Sequence, residues 1–89
     1  MTEKFIIKGY EISFNVHDGD HGVHVHVSQG CDRDMAKFVL GADGDVVLAR
    51  NRGKIPPKIL KKIRNDLARR YVFIVGAWDR TFGDHYFDR

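Results

Sequence analysis

The first half of the chain alternates apolar and polar residues, and this alternation predicts β-strands. The segment GYEISFNV, residues 9–16, places apolar side chains on one side and polar side chains on the other. VHVHVS (23–28), MAKFVL (35–40) and VVLAR (46–50) follow, with segments rich in glycine and aspartate before each of them. A period of two is typical of a strand with one buried face. We therefore predict an antiparallel meander of about four strands.

The apolar period lengthens in the second half of the chain, which predicts a helix. Pro56 and Pro57 suit a first helical turn, where the missing N–H groups cost little. Apolar residues then recur at spacings of three and four: Leu60, Ile63, Leu67, Tyr71, Ile74 and Trp78. This stripe predicts one long helix from near Pro57 to about Thr81. Gly76 lies inside it and marks the expected place for a kink or a close contact.

A sheet with one apolar face and a helix with one apolar stripe can bury each other. The predicted fold class is therefore α+β, a single domain in which an antiparallel meander of about four strands packs on one long C-terminal helix. In this arrangement Val23, Val25 and Val27 face the core. His24 and His26 then face away from the helix, toward solvent or a partner. The edge strands of a small open sheet are open to pairing, so a homodimer is also expected.

Composition favours a cytoplasmic protein. Apolar residues make up 43% of the chain and charged residues 30%, as in ordinary globular domains. No apolar run approaches the roughly 18 residues that a membrane span needs, and residues 1–10 lack the apolar core of a signal peptide. Cys31 is the only cysteine. We therefore expect a cytoplasmic location, no membrane association and no disulfide framework.

Basic residues are concentrated in residues 50–70, which hold nine of them against one acidic residue. The rest of the chain has six basic and eleven acidic residues. Such a division is found on surfaces that bind anionic partners, and also on helix faces that are simply solvated. The candidate residues for binding a partner or nucleic acid are Arg50, Arg52, Lys54, Lys58, Lys61 and Lys62.

His24 and His26 are the candidate catalytic residues. Residues two apart in a strand share a face, with Cα atoms roughly 6.5–7 Å apart. Imidazole titrates near neutral pH, so the pair could supply an acid and a base for phosphoester cleavage. This pattern indicates a phosphodiesterase or ribonuclease, in which the basic segment would form a cationic groove.

The same two histidines could instead bind a metal ion. A zinc site needs at least three protein ligands, and the preceding loop offers Asp18, Asp20, His17 or His21 as the third, of which His21 is the predicted ligand. A further interpretation is a plain polar sheet face, in which neither histidine has an individual role. Nothing in the sequence requires a resident cofactor, and none is expected.

The order of the motifs resembles a known family, the bacterial domain of unknown function 4160. The resemblance rests on GYEISFNVHDGDH, HVHV, AKFVL, GKIPPKILKKIRNDL and AWDRTFG, and it extends from about Phe5 to Gly83. His24 and His26 match the paired histidines of the family directly. The chain departs from the family at Gly22 and Val23, where members commonly have prolines.

The resemblance implies no settled biochemical activity. It implies a gene that lies beside other small genes in arrangements like toxin–antitoxin modules. A protein partner encoded nearby, or a nucleic-acid partner, would follow from that arrangement. Three hypotheses remain open: a protein- or nucleic-acid-binding module, a hydrolase that uses His24 and His26 with or without a metal, and an adaptor in which these histidines do nothing individually.

Overall fold

The computed structural model describes residues 3–14 and 22–83, which form an antiparallel sheet and two helices. The elements are β1 (Glu3–Ile7), β2 (Tyr10–Phe14), β3 (His24–Gln29), β4 (Asp32–Leu40), β5 (Val46–Arg50), α1 (Pro57–Arg69) and α2 (Tyr71–Phe82). The strand order in the sheet is β1-β2-β3-β4-β5, so each strand pairs with its neighbour in sequence. The predicted α+β class and the antiparallel meander are confirmed.

The sheet contains a strand that the sequence pattern did not predict. β1 pairs with β2, with Ile7 opposite Tyr10 and Phe5 opposite Ile12. Only two residues connect these strands, and both have positive φ angles: 53° at Lys8 and 82° at Gly9. A two-residue turn of type I′ needs positive φ at both central positions. The predicted number of about four strands is therefore corrected to five among the described residues.

The predicted single helix is two helices, α1 and α2, which are separated at Arg70. The backbone of Arg70 leaves the helical region, with φ −97° and ψ 10°. Its N–H still donates to the carbonyls of Asp66 and Leu67. The interruption therefore lies six residues before Gly76, which is an interior residue of α2. No helix in the described part of the chain is long and apolar enough to cross a membrane.

The core is a cluster of buried apolar side chains from the strands, the two helices and the segment before α1. The predicted inward residues Val23, Val25 and Val27 are at most 1% exposed. The main contributors from the other elements are Ile12, Ala36, Phe38, Leu40, Val46, Ile63, Leu67, Ile74, Ala77 and Trp78. Removing this apolar surface from water is the main favourable contribution to folding, about 25 cal/mol per Å².

The pairing of β3 with β4 contains a bulge. Val27 pairs with Ala36, but Gln29 pairs with Asp32. Between these two pairs β4 advances by four positions, whereas β3 advances by two. Extra residues in one strand change the direction of its side chains relative to regular alternation. The side chains at the start of β4 therefore do not follow the alternation that holds from Ala36 onward.

A second bulge lies between β4 and β5. Phe38 pairs with Leu48, but Lys37 pairs with Arg50, so β5 has one extra residue at this point. The irregularity with β3 lies between Asp32 and Ala36 of β4, and the irregularity with β5 lies between Lys37 and Phe38. Together they set the directions of the polar side chains described next.

Candidate functional site

His24 is buried, so the prediction that it faces solvent or a partner is wrong. The residue is 2% exposed. Its Nδ1–H donates to the carbonyl of Gly22 over 2.7 Å. Its ring lies edge-on to Trp78 of α2, with centroids 5.3 Å apart. Strand alternation alone places the His24 imidazole on the side of β3 opposite the core. The indole of Trp78 covers the imidazole, and this contact is the physical reason for its burial.

His26 is the histidine of the pair that reaches the surface. Its side chain is 21% exposed, and its ring lies edge-on to that of His24 at a centroid distance of 5.0 Å. Its Nδ1 lies 3.2 Å from Oδ1 of Asp34. A carboxylate accepts hydrogen bonds, so this contact places a proton on Nδ1. In the neutral ring the basic lone pair is then on Nε2.

Asp34 joins His26 to Arg50. One carboxylate oxygen faces the imidazole, and the other accepts a hydrogen bond from Nη2 of Arg50 at 2.6 Å. Partial burial raises the pKa of the Asp34 carboxyl, but the hydrogen bonds and positive charges of Arg50 and His26 outweigh that effect. The pKa therefore lies below its ordinary value of 3.8. Asp34 is an anion at neutral pH and contacts a basic group with each oxygen.

Arg52 extends these contacts to the beginning of β4. Its guanidinium forms an ion pair with the Asp32 carboxylate, and its Nε–H donates to the backbone carbonyl of Asp34 at 3.0 Å. The backbone N–H of Asp34 in turn donates to Oδ1 of Asp32 at 3.2 Å. We call His26, Asp32, Asp34, Arg50 and Arg52 the carboxylate–arginine network.

Gly53 allows the chain after β5 to lie close to β4. Its N–H donates to the carbonyl of Met35 over 2.7 Å. A Cβ at this position would lie 2.6 Å from Cβ of Met35, which is closer than real side chains approach. The absence of a side chain at Gly53 thus permits the close approach that brings Arg52 to the Asp34 backbone.

The six basic residues predicted to bind a partner separate into two groups. Arg50 and Arg52 form ion pairs within the carboxylate–arginine network. The other four, Lys54, Lys58, Lys61 and Lys62, are exposed, and none of them forms an ion pair with another described residue. We call these four residues the lysine face.

The lysine face coincides with the N-terminal end of α1. Lys58, Lys61 and Lys62 lie in its first two turns, the first turn contains no acidic residue, and no side chain caps the backbone. The partial positive charge of a helix N-terminus makes a nearby cation unfavourable by about 0.3–1 kcal/mol. The lysine charges and the helix dipole therefore add to one positive region of the surface.

The metal site predicted from the sequence is not tested by these residues. Within residues 3–14 and 22–83, no three His, Cys, Asp or Glu side chains form a group that could hold a metal ion. His21, the predicted third ligand beside His24 and His26, lies outside the described residues. The metal role of these three histidines stays a prediction.

Sequence reasoning missed the two aspartates that organise the site. The segment DRD, residues 32–34, and the segment RNR, residues 50–52, carry opposite charges near the ends of strands that pair with each other. The opposite charges of the two segments are the signal from which their contact could have been predicted. The actual partners depend on the two bulges, which the alternation of apolar residues does not reveal.

Comparison with known proteins identifies a family and no characterised relative. Neither a curated protein nor a solved structure matches this chain. The model of a domain of unknown function, DUF4160, matches residues 9–79. The matched residues extend from β2 into α2 and include the carboxylate–arginine network and the lysine face, whereas β1 precedes them. The chain therefore belongs to the DUF4160 family.

Proposed function

We propose that this protein is a small binding module that holds a nucleic-acid backbone on the lysine face. The observation that carries the proposal is the exposure of four lysines that form no ion pair with another described residue. A phosphate backbone offers regularly spaced anions, and its neutralisation by lysines releases condensed counterions. The binding energy would then come mainly from this electrostatic effect.

In this proposal the two arginines contribute less to phosphate binding than the four lysines do. Arg50 and Arg52 are bound to Asp34 and Asp32, so much of their positive charge is neutralised within the protein. Lysine ammonium groups act as point charges, without the paired geometry by which arginine recognises guanine or phosphate. We therefore expect contacts to phosphates, little preference for base sequence and a strong dependence on salt.

A protein partner is the other form of the binding proposal. The family resemblance implies a toxin–antitoxin-like gene pair, in which the product of the adjacent gene would be the partner. An acidic surface on that product would meet the same lysines. Co-purification with the neighbouring product, lost on substitution of the lysine face and without binding to nucleic acid, would favour the protein over the nucleic acid.

Fluorescence anisotropy with a labelled RNA strand and a labelled DNA duplex tests the proposal. The wild type is compared with the triple variant Lys58→Gln, Lys61→Gln, Lys62→Gln. We expect wild-type binding at about 50 mM salt and a loss of about tenfold or more in the triple variant. These lysines are exposed, so the variant should unfold at the wild-type temperature. No wild-type binding to either nucleic acid, or equal binding by both proteins, would contradict the proposal.

A histidine-based hydrolase is the second candidate function, and the contact between His26 and Asp34 favours it. A carboxylate that holds Nδ1–H orients the imidazole and leaves Nε2 as a base. His24 is buried against Trp78, so a substrate does not reach both histidines in this conformation. The candidate base is therefore His26 alone, with Asp34 as a positioning residue.

Cleavage of bis(p-nitrophenyl) phosphate and of a mixed-sequence RNA tests this second candidate, with and without added zinc. We expect His26→Asn to lower cleavage by about a hundredfold or more, and Asp34→Asn to lower it less and to change its pH profile. Activity that survives His26→Asn, or no activity in the wild type under either condition, would rule out a catalytic role for His26.

A further inference from the structure

We propose that two copies of this chain associate through β1, so that the sheet continues from one copy into the other. β1 is the first strand of the sheet and pairs with β2. The two-residue turn makes Ile7 and Tyr10 a hydrogen-bonded pair, so Ile6 and Lys4 direct their backbone N–H and C=O groups away from β2. No described strand pairs with this outer edge of β1, which therefore offers donors and acceptors to another strand.

The two edges of the sheet differ in how well they are protected. β5 has a bulge beside Arg50, and α1 packs against it. Bulges, charged residues and covering helices are the usual means by which proteins prevent pairing at an edge. β1 contains no bulge in its pairing with β2 and no proline, and its last three residues, Phe5, Ile6 and Ile7, are apolar. Pairing is therefore expected at β1 rather than at β5.

Apolar side chains at the β1 edge are left partly exposed. Ile6 is 62% exposed, and Phe73 of α2 is 52% exposed. The ring of Phe73 lies edge-on to Phe5 at a centroid distance of 6.4 Å, and the guanidinium of Arg70 stacks over the same Phe5 ring at 4.7 Å. A strand added beside β1 would cover Ile6 on one face of the sheet and extend the Phe5–Phe73 contact on the other.

The sequence of β1 is suited to pairing with itself. Residues whose backbone groups point outward must pair with each other, so the twofold axis passes through either Phe5 or Ile6. An axis at Phe5 places Lys4 opposite Ile6 and Phe5 opposite Phe5 of the second copy. An axis at Ile6 would place Lys4 opposite Lys8. We therefore assign the axis to Phe5, which brings two aromatic residues together and opposes no like charges.

This association is independent of the proposed nucleic-acid binding. The lysine face lies after β5 and on α1, whereas the pairing uses β1 at the opposite edge of the sheet. A strand of five residues makes a small interface. We therefore expect a reversible dimer with a dissociation constant on the order of micromolar or weaker.

Sedimentation velocity from about 10 μM to about 1 mM protein tests the proposal. The variant is Ile6→Lys, and the matched control is Leu48→Lys, which changes an exposed apolar residue on the opposite edge strand β5. We expect the wild type and Leu48→Lys to dimerise alike, and Ile6→Lys to weaken association by about tenfold or more. A wild type that stays monomeric, or a dimer weakened only by Leu48→Lys, would overturn the proposal.

Hydrogen exchange on the wild type gives a second readout that does not depend on a variant folding. The amide of Ile6 should exchange more slowly at high protein concentration, because it gains a partner in the dimer. The amide of Ile7 bonds within the hairpin and should be protected equally at both concentrations. A dimer in which the Ile6 amide gains no protection would place the interface elsewhere and overturn the proposal.

Discussion

The carboxylate of Asp34 lies 3.2 Å from the imidazole of His26, although the strand register pairs His26 with Lys37. Asp34 lies three positions before Lys37, so in a regular strand Asp34 would point to the opposite face. The bulge at the start of β4 removes that restriction and turns Asp34 toward His26. The contact is therefore a product of the bulge, and substitutions that remove the bulge should break the contact.

Because of Asp34, the free energy of unfolding should decrease as the pH becomes acidic. Its folded-state pKa is below 3.8, so its contribution to the free energy of unfolding is present above that value and is lost as the pH falls through the folded-state pKa. Asp34→Asn should lower stability more at about pH 6 than at about pH 2.5. Urea unfolding at the two pH values measures the difference.

The expected size of this effect is small, because the Asp34 side chain is 37% exposed and solvent screens its interactions. The control is Asp43→Asn, which changes an exposed carboxylate in the β4–β5 turn and keeps its side-chain acceptor. If Asp34→Asn loses as much stability on acidification as the wild type does, the ion pairs of Asp34 contribute nothing to stability.

The two histidines should respond differently to truncation. His24→Ala leaves a cavity beside Trp78 and removes the hydrogen bond from the imidazole to the Gly22 carbonyl, so we expect a loss of about 2–4 kcal/mol in the free energy of unfolding. His26→Ala removes a partly exposed side chain and should cost about 1 kcal/mol or less. Chemical denaturation of both variants makes the comparison, and equal losses would contradict the assignment of His24 to the core.

Gly53 should not tolerate a larger residue. The added Cβ of Gly53→Ala would meet Cβ of Met35, an atom fixed to the β4 backbone, so either strand must move. We expect a loss of about 1–3 kcal/mol in the free energy of unfolding, together with a weaker contact between Arg52 and Asp34. Thermal unfolding measures the first effect, and an unchanged melting temperature would show that the close approach is not required.

Gly76 should respond to the same substitution in the opposite direction. It lies inside α2, and an added Cβ would have an ordinary contact of 3.5 Å with the flexible end of Arg80. Alanine is favoured over glycine in a helix interior, so Gly76→Ala should stabilise the protein by about 0.5–1 kcal/mol. A decrease in stability would indicate that the glycine is needed for a contact beyond those described.

The sequence predicted the strands with regular alternation and failed where regularity ends. Val23, Val25 and Val27 are buried as predicted, because alternation follows directly from the pleat of a strand. β1 was missed because its apolar stretch is short, and because the lysine at its turn is an unusual residue for a positive φ. Two further misses are the interruption of the helix and the burial of His24.

The interruption at Arg70 could not be predicted because neither glycine nor proline marks it, and the apolar spacing continues through it. The burial of His24 depends on Trp78, a residue more than fifty positions away in the chain. Periodicity describes which side of an element is apolar, but not which distant side chain will cover a polar one. The sequence therefore predicted His26, Arg50 and Arg52 of the site, but not the aspartates that join them or the contacts that they make.

Matched single variants separate the lysine face from the general charge of the protein. Lys61→Gln removes one cation from the lysine face. Lys8→Asn removes one cation from the β1–β2 turn, and asparagine tolerates the positive φ of this position. If phosphates contact the lysine face, only Lys61→Gln should reduce the salt slope, by about 0.7–0.9. Equal slopes for the two variants would indicate that binding follows net charge alone.

The measurement that tests the central claim most directly is the salt dependence of nucleic-acid binding by the wild type and the triple variant of Lys58, Lys61 and Lys62. If the lysine face binds phosphates, the logarithm of the association constant should fall linearly with the logarithm of salt concentration. The triple variant should reduce that slope by about two or more. Identical slopes for the two proteins, or no binding by the wild type at low salt, would contradict the claim.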